Sequence, residues 1–167
     1  LVQSPETAMR RLRDLVMQQP ESHVLAHSLG GLLAVKALAG CKGYSGRIVC
    51  VGTPLAGSRV VRRYSGTPLA RLAGSSAELL STGLDAIPEG LSVSVIAGTE
   101  PFGLGRIFHR FRERNDGTVA FSETEIPGLR RHVAVAASHS GQLVSSSVLE
   151  AAVALLSDTP RYDDKSL

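Results

Sequence analysis

Tryptophan is absent from the 167-residue sequence, and aromatic residues make up only 4% of it. Cysteine is scarce as well: Cys41 and Cys50 are the only two, which excludes a scaffold held together by several disulfides. Because Cys50 lies in an apolar, strand-like run, we expect a buried free thiol there rather than a disulfide. No apolar run approaches the roughly 20 residues of a membrane-spanning helix. The remaining composition, 43% hydrophobic and 20% charged, predicts one globular domain.

Motifs that bind metals and phosphates are also missing. The sequence has no Cys/His spacing typical of a metal site, and no glycine-rich phosphate loop ending in Gly-Lys. We therefore expect neither a metal ion nor an organic cofactor. Any chemistry performed by this chain is expected to come from its own side chains and backbone groups.

The charge is mildly basic, with a net value of +3 at pH 7. Arginines gather in three places, at residues 10–13, 59–63 and 106–114. None of these clusters is the dense basic tract of a nucleic-acid-binding arm, so we predict no nucleic-acid partner. Two interpretations stay open for the arginines. They form ordinary solvated faces, or they attract an acidic substrate or the anionic lipid of a membrane surface in a peripheral contact.

Segments with strand-like and helix-like patterns alternate along the chain. Ser4, Pro5 and Glu6 predict the start of a first helix, since Ser is a favoured N-cap and Pro a favoured first-turn residue. Strands are predicted at residues 23–26, 47–51, 91–96 and 132–136, and further helices at 28–39, near 68–80 and at 147–156. This alternation predicts an α/β fold: a doubly wound, mostly parallel sheet flanked by helices on both faces.

The turn between the first strand and the second helix has the sequence Ala26-His27-Ser28-Leu29-Gly30. A nucleophilic serine needs a strained strand-to-helix turn with small residues two positions before and after it, so that its hydroxyl projects from the sheet. The backbone N–H of Leu29 would then face a developing oxyanion. We predict that Ser28 is a catalytic nucleophile. The alternative is an ordinary buried turn with an inert serine.

A serine hydroxyl becomes a good nucleophile only when a histidine removes its proton and an acid orients that histidine. His139 follows the fourth strand in a loop of small residues, and Asp116 follows the third strand in an Asn-Asp-Gly turn. Both lie after strand ends, in the order serine, acid, histidine, so we predict Asp116 as the acid and His139 as the base. The other residues weighed for these roles are Asp85, Glu113, Glu123, His23, His109 and His132.

Four segments, in this order, resemble the lipase/esterase branch of the α/β-hydrolase superfamily. Residues 26–31 are similar to the nucleophile turn of small bacterial lipases, which also have Ala where the general pattern has Gly. Residues 51–58 resemble a segment of bacterial lipases and inositol-deacylase-like proteins, and residues 115–119 and 138–141 resemble their acid and base loops. The resemblance implies the C-terminal part of an α/β-hydrolase fold. We predict that the substrate contacts His27 beside the nucleophile and Thr53, Pro54 and Leu55 after the second strand.

Proteins of this family carry several strands before the one that leads to the nucleophile, whereas here a single helix precedes it. We therefore expect residues 1–157 to form one N-terminally incomplete domain, with residues 55–90 as a small cap and 158–167 as a polar tail. A missing segment or a second chain would complete the sheet and supply a second oxyanion donor. Because the chain begins with Leu1, the N-terminus looks trimmed. We predict a cytoplasmic location and leave a secreted or periplasmic one open.

The residues and the resemblance together predict a serine hydrolase that cleaves carboxylic esters, of the lipase or esterase type, through an acyl-enzyme. Its substrate would be a small-molecule ester or a lipid, and the small, apolar residues of the expected cap favour a neutral one. Two alternatives stay open. A thioesterase or acyltransferase could use the same three residues, and a non-catalytic binding module could retain the pocket without the chemistry.

Overall fold

The computed structural model describes residues 4–63, 76–102 and 113–157, which are built around a four-stranded sheet. The strands lie side by side in chain order and every neighbouring pair is parallel: β1 (Val24–His27), β2 (Arg47–Val51), β3 (Ser92–Gly98) and β4 (Arg131–Val135). Because parallel strands end at the same edge of a sheet, the loops that follow the four strands gather at that edge.

Helices cover both faces of the sheet. They are α1 (Pro5–Val16), α2 (Leu29–Leu38), α3 (Arg59–Arg63), α4 (Ala77–Thr82) and α5 (Ser146–Ser157). Helices α1, α2 and α4 contribute to a hydrophobic cluster on one face, and α5 packs on the other. The first helix begins as its sequence predicts, with the Ser4 side chain accepting a hydrogen bond from the Thr7 backbone N–H at 3.3 Å.

The side chains of β2 point alternately to the two faces of the sheet, so this strand contributes to both hydrophobic clusters. Ile48 and Cys50 pack toward α1 and α2, whereas Val49 and Val51 pack toward α5, and all four side chains are buried. The Cys50 thiol is free, as its apolar surroundings predict, and burial raises its pKa to about 12. Cys41 is also free. The two cysteines therefore contribute packing rather than a cross-link.

The predicted α/β architecture is confirmed: the sheet is parallel, and helices flank it on both faces. The region expected to form a cap, residues 55–90, contains α3 and α4 in its described parts. Only the end of the helix expected near residues 68–80 is seen, as α4, since residues 64–75 lie outside the described residues. The expected tail, residues 158–167, also lies outside them. The proposed domain boundaries stay predictions.

Strand β1 pairs with β2 along one side, and no other strand among the described residues pairs with it. Its residue Leu25 is 52% exposed although it is a large apolar side chain in a sheet. Among the described residues, β1 is thus an edge strand with an exposed apolar side chain, and completion of the sheet by further chain stays a prediction. None of the helices in the described ranges is both long and apolar enough to cross a membrane.

The buried carboxylate of Glu123 ties the chain after β2 to the chain after β3. One of its oxygens accepts the backbone N–H of Arg59 at 2.6 Å, and the other accepts the backbone N–H of Ala120 at 2.9 Å. The Arg59 guanidinium pairs with Glu123 and also with Glu113. At least this arginine of the second basic cluster is thus engaged within the protein. The Glu123 contacts fix two loops at the carboxyl edge of the sheet relative to each other.

We expect Glu123→Ala to lower the free energy of unfolding by about 3 kcal/mol. The substitution removes a buried carboxylate that accepts two backbone hydrogen bonds and forms an ion pair with Arg59. Urea unfolding followed by circular dichroism measures the change. Glu125→Ala, at an exposed position two residues away, is the matched control and should change it by less than about 0.5 kcal/mol. Equal losses in the two variants would contradict this role of Glu123.

Candidate active site

Ser28 occupies the turn between β1 and α2 in a backbone conformation that side chains rarely adopt. Its φ of 54° and ψ of −128° make it the one non-glycine residue with positive φ among those described. The surrounding structure holds this strained conformation. The Ser28 N–H donates to the carbonyl of Val51 at 2.8 Å, and the Thr53 hydroxyl donates to the carbonyl of Ser28 at 2.8 Å. The turn therefore has the strained geometry that the sequence predicts for a nucleophile.

Clearance for this turn depends most on Gly31. A Cβ added there would collide with the hydroxyl and methyl groups of Thr53, whose Cγ2 would lie only 2.8 Å away. A Cβ added at Gly30 would meet only the Cβ of Ala26, at an ordinary 3.8 Å. The pattern of small residues is thus explained, although the tightest position lies one residue later than the Gly-x-Ser-x-Gly pattern stresses.

His139 lies in the loop after β4, with its ring between the serine and an acid. Its Nε2 is 3.0 Å from the Oγ of Ser28, and its Nδ1 is 2.7 Å from the Oδ2 of Asp116. Both are hydrogen-bond distances. The ring is largely enclosed, with 13% of the side chain exposed. The structure thus brings together Ser28, His139 and Asp116, the three residues that the sequence singles out from separate loops.

Asp116 is fixed by bonds to both of its carboxylate oxygens. Oδ1 accepts the backbone N–H groups of Thr118 at 2.9 Å and Val119 at 2.7 Å. Oδ2 accepts from His139 and from Nε2 of Gln142, the latter at 2.8 Å. The carbonyl of Asp116 also accepts the backbone N–H of His139 at 2.8 Å, so the acid and base loops are joined by backbone as well as side chain. A buried carboxylate with this many donors is well placed to orient an imidazole.

The chemistry that this arrangement allows is removal of the Ser28 proton by His139, with Asp116 holding the ring in the tautomer that leaves Nε2 free to accept it. Helix α2 starts at Leu29, directly after the serine. The first N–H groups of a helix have no acceptor within the helix, so the N–H of Leu29 makes no hydrogen bond inside α2. Its part as an oxyanion donor stays a prediction, as does the second donor.

His27, beside the nucleophile, is in contact with His139. Its Nε2 lies 2.9 Å from the carbonyl of His139, and the two rings are 4.7 Å apart between centroids. Burial lowers the pKa of His27, and the neighbouring His139 lowers it further. A neutral ring protonated at Nε2 donates to that carbonyl. His27 thereby supports the base loop, and its predicted contact with substrate remains untested.

The predicted substrate residues after β2 lie inside the protein. Thr53, Pro54 and Leu55 have fully buried side chains. The Thr53 hydroxyl is used by the carbonyl of Ser28, as described above, and Leu55 belongs to the core shared with α2. These residues therefore shape the nucleophile turn and the core beneath it. A direct contact with substrate stays a prediction for all three.

The other candidates for acid and base have different partners. Nδ1 of His23 accepts the backbone N–H of Arg47 at 3.2 Å, and Nε2 of His132 is 2.8 Å from the hydroxyl of Thr124. Glu113 and Glu123 interact with Arg59, and Asp85 is exposed, while His109 lies outside the described residues. Within the described ranges, no group of three or more His, Cys, Asp or Glu side chains is arranged to hold a metal ion.

Two contacts within the site are missed by reading the sequence. Thr53 is predicted only as a substrate contact, and Gln142 is not singled out. The hydrogen bond from Thr53 to Ser28 and the one from Gln142 to Asp116 follow only from the fold. A weak signal exists for Gln142: it comes three residues after His139, within one turn of the short 3-10 helix Gly141–Leu143.

Solved structures to which this chain is similar include a lipase and a carboxyl esterase. The chain is similar to the Bacillus licheniformis lipase BlEst2 in its mature form, with 20% identity, a TM-score of 0.71, and coverage of 91% of this chain and 72% of that one. The propeptide form of BlEst2 is 17% identical with a TM-score of 0.73, and the match covers 98% of this chain and 42% of that one. The metagenomic carboxyl esterase MGS0156 is 18% identical with a TM-score of 0.66, and the match covers 81% of this chain and 51% of that one.

The chain thus spans about half the length or less of two of these three structures. No family model matches the sequence, and no curated protein matches it either. At identities of 17–20%, the likeness concerns the fold. The resemblance found in the sequence is confirmed at that level: this chain has the α/β-hydrolase-like fold of lipase and esterase structures.

Proposed function

We propose that this chain carries the catalytic centre of a serine hydrolase that cleaves carboxylic esters. The observation that carries the proposal is one continuous path of hydrogen bonds. It runs from Ser28 Oγ to His139 Nε2 over 3.0 Å, and from His139 Nδ1 to Asp116 Oδ2 over 2.7 Å. The path starts at a serine held with a φ of 54° between a strand and a helix. An inert serine in an ordinary turn would need neither the strain nor the partners.

In the first half of the proposed reaction, His139 takes the proton of Ser28 as the serine oxygen attacks the ester carbonyl. The carbonyl oxygen gains negative charge, which the N–H of Leu29 stabilises at the start of α2. Asp116 stabilises the imidazolium that forms. His139 then gives its proton to the departing alcohol, the C–O bond of the ester breaks, and the acyl group remains on Ser28.

In the second half, water releases the acyl group. His139 accepts a proton from the water, which attacks the acyl-enzyme, and the proton is then returned to Ser28 as the carboxylic acid leaves. His139 and Asp116 act as in the first half, with water in place of the serine oxygen as nucleophile and the oxygen of Ser28 as the leaving group. The proposed route needs no cofactor.

The proposed substrate class is a neutral carboxylic ester, either a small molecule or a lipid. Two observations support it. The similar structures are named as lipases and a carboxyl esterase. The region that follows β2, residues 55–90, is rich in small and apolar residues where a cover over the site is expected. Since the same groups can attack a thioester, an acyl thioester belongs in the substrate panel.

Replacing the nucleophile is the first test. We expect Ser28→Ala to lower kcat on p-nitrophenyl acyl esters by about 1,000-fold or more, because the attacking oxygen is lost. The rate of p-nitrophenol release, over a series of acyl chain lengths, measures it. Ser45→Ala, at an exposed position on another loop, is the matched control and should retain wild-type kcat. Equal turnover by Ser28→Ala and the wild type would rule out Ser28 as the nucleophile.

Thr53 offers a second test, because support of the turn and contact with substrate have different kinetic effects. Thr53→Val keeps the shape and removes the hydroxyl that donates to the Ser28 carbonyl. We expect kcat to fall about fivefold, the equivalent of one neutral hydrogen bond, with KM nearly unchanged.

The matched control for Thr53→Val is Thr82→Val, which also removes a hydroxyl that donates to a backbone carbonyl, at 3.0 Å, but in an exposed helix. It should leave both kinetic constants unchanged. A higher KM with constant kcat in Thr53→Val would instead assign Thr53 to substrate binding.

A further inference from the structure

Gln142 is buried beside the proposed acid, and its amide is in contact with the carboxylate. Its side chain is 2% exposed, and its Nε2 lies 2.8 Å from the Oδ2 of Asp116, the same oxygen that accepts from His139. A carboxylate only accepts hydrogen bonds, so the amide must present its N–H₂ group and not its carbonyl to Asp116. The chemistry of the pair therefore fixes which way the amide faces.

The two ends of this amide differ in their bonding. Among the described residues, Gln142 Oε1 is buried and has no hydrogen-bond partner. An unsatisfied buried acceptor costs stability, which an apolar side chain of similar size would avoid. The N–H₂ end is therefore the end of the amide that makes a favourable contact. Its target, Asp116 Oδ2, is the atom that orients the base.

Two glycines at the ends of strands make room for the amide. A Cβ added at Gly52, after β2, would lie 2.8 Å from Gln142 Oε1 and 3.2 Å from His139 Nδ1. A Cβ added at Gly98, the last residue of β3, would collide with Gln142 Nε2 and lie 2.8 Å from the Cβ of Asp116. Both glycines therefore border the space that Gln142 shares with the acid and the base, and any larger residue would displace the amide.

The backbone also prepares this placement. The N–H of Gln142 donates to the carbonyl of Ser138 at 2.9 Å. This bond closes a tight turn after His139, at the start of the short 3-10 helix, and keeps Gln142 close to that histidine. Among the described residues, Oδ1 of Asp116 accepts from two backbone N–H groups, whereas Oδ2 accepts from the side chains of His139 and Gln142. Without Gln142, His139 would be the one described donor left to fix Oδ2.

We infer that Gln142 is a positioning residue for the reaction: it holds Asp116 Oδ2 within hydrogen-bond distance of His139 Nδ1, and so acts on Ser28 through Asp116 and His139. This inference rests on the proposed function, since it concerns the same three side chains. It adds Gln142 as a fourth residue to the three that the sequence predicts. Gly52 and Gly98 leave room for its side chain.

The test is Gln142→Met, which keeps the length and approximate volume of the side chain and cannot donate a hydrogen bond. We expect kcat on a soluble p-nitrophenyl ester to fall about 10-fold, while KM stays within about twofold. The second readout is the proton NMR signal of His139 Nδ1–H, which lies in the 2.7 Å bond to Asp116. We expect it to broaden through faster exchange with water when Oδ2 is less firmly held.

Gln19→Met makes the same chemical change at an exposed position beyond α1 and should leave kcat and the NMR signal as in the wild type. If Gln142→Met folds with unchanged kcat and an unchanged Nδ1–H signal, the inference is wrong. If it does not fold, Gln142→Glu replaces it, since a protonated carboxyl can donate to Asp116 and an ionised one cannot. The ratio of its kcat to that of wild type should then fall as the pH rises, and a constant ratio would overturn the inference.

Ser28→Ala, measured in parallel, separates this inference from the proposed function. If the wild type and Ser28→Ala turn over esters equally, the proposed function fails. The role of Gln142 is then decided by the NMR signal alone, which requires a folded site and no turnover. If Ser28-dependent turnover is present, both readouts apply to Gln142.

Discussion

The hydrogen bond between Asp116 and His139 is the interaction on which the rest of the site depends. It joins the loop after β3 to the loop after β4 over 2.7 Å, and a backbone bond between the same two residues reinforces it. The imidazole is then placed so that its second nitrogen reaches Ser28. Because an aspartate that accepts from Nδ1 selects the tautomer with a free Nε2, a single contact supplies both the orientation and the tautomer of the proposed base.

Parallel strands make this convergence possible. The serine, the acid and the base follow β1, β3 and β4, and the carboxyl ends of these strands lie at one edge of the sheet. Strand β2 and the residues directly after it contribute indirectly. The Val51 carbonyl accepts the N–H of Ser28, and the Thr53 hydroxyl donates to the Ser28 carbonyl. The strain at Ser28 is therefore supported by a neighbouring strand, and it persists because those contacts hold the turn.

Much of this arrangement could be predicted from the sequence. Each strand is a short apolar run bounded by turn residues, so the four strands follow from local patterns. The order of the strands in the sheet comes from the structure. The convergence of Ser28, Asp116 and His139 is predicted from their positions after the ends of parallel strands. Their mutual distances could not be predicted, because these depend on how loops distant in sequence pack against one another.

Two contacts that the sequence does not predict share one physical cause. Thr53, which the sequence predicts only as a substrate contact, is buried and donates its hydroxyl to the carbonyl of Ser28. Gln142, which no motif marks, is buried against the acid. In both cases, burial decides what the polar side chain can do, and burial depends on tertiary packing. A residue type alone does not tell a substrate contact from a contact within the site.

The central claim, that His139 and Asp116 activate Ser28, is tested most directly by a fluorophosphonate probe followed by peptide mass mapping. The account predicts one phosphonylated serine, Ser28, in the folded wild-type chain, and a rate of labelling that falls at least about 100-fold in His139→Gln. Labelling of a different serine, or labelling of Ser28 at the same rate without the histidine, would contradict it.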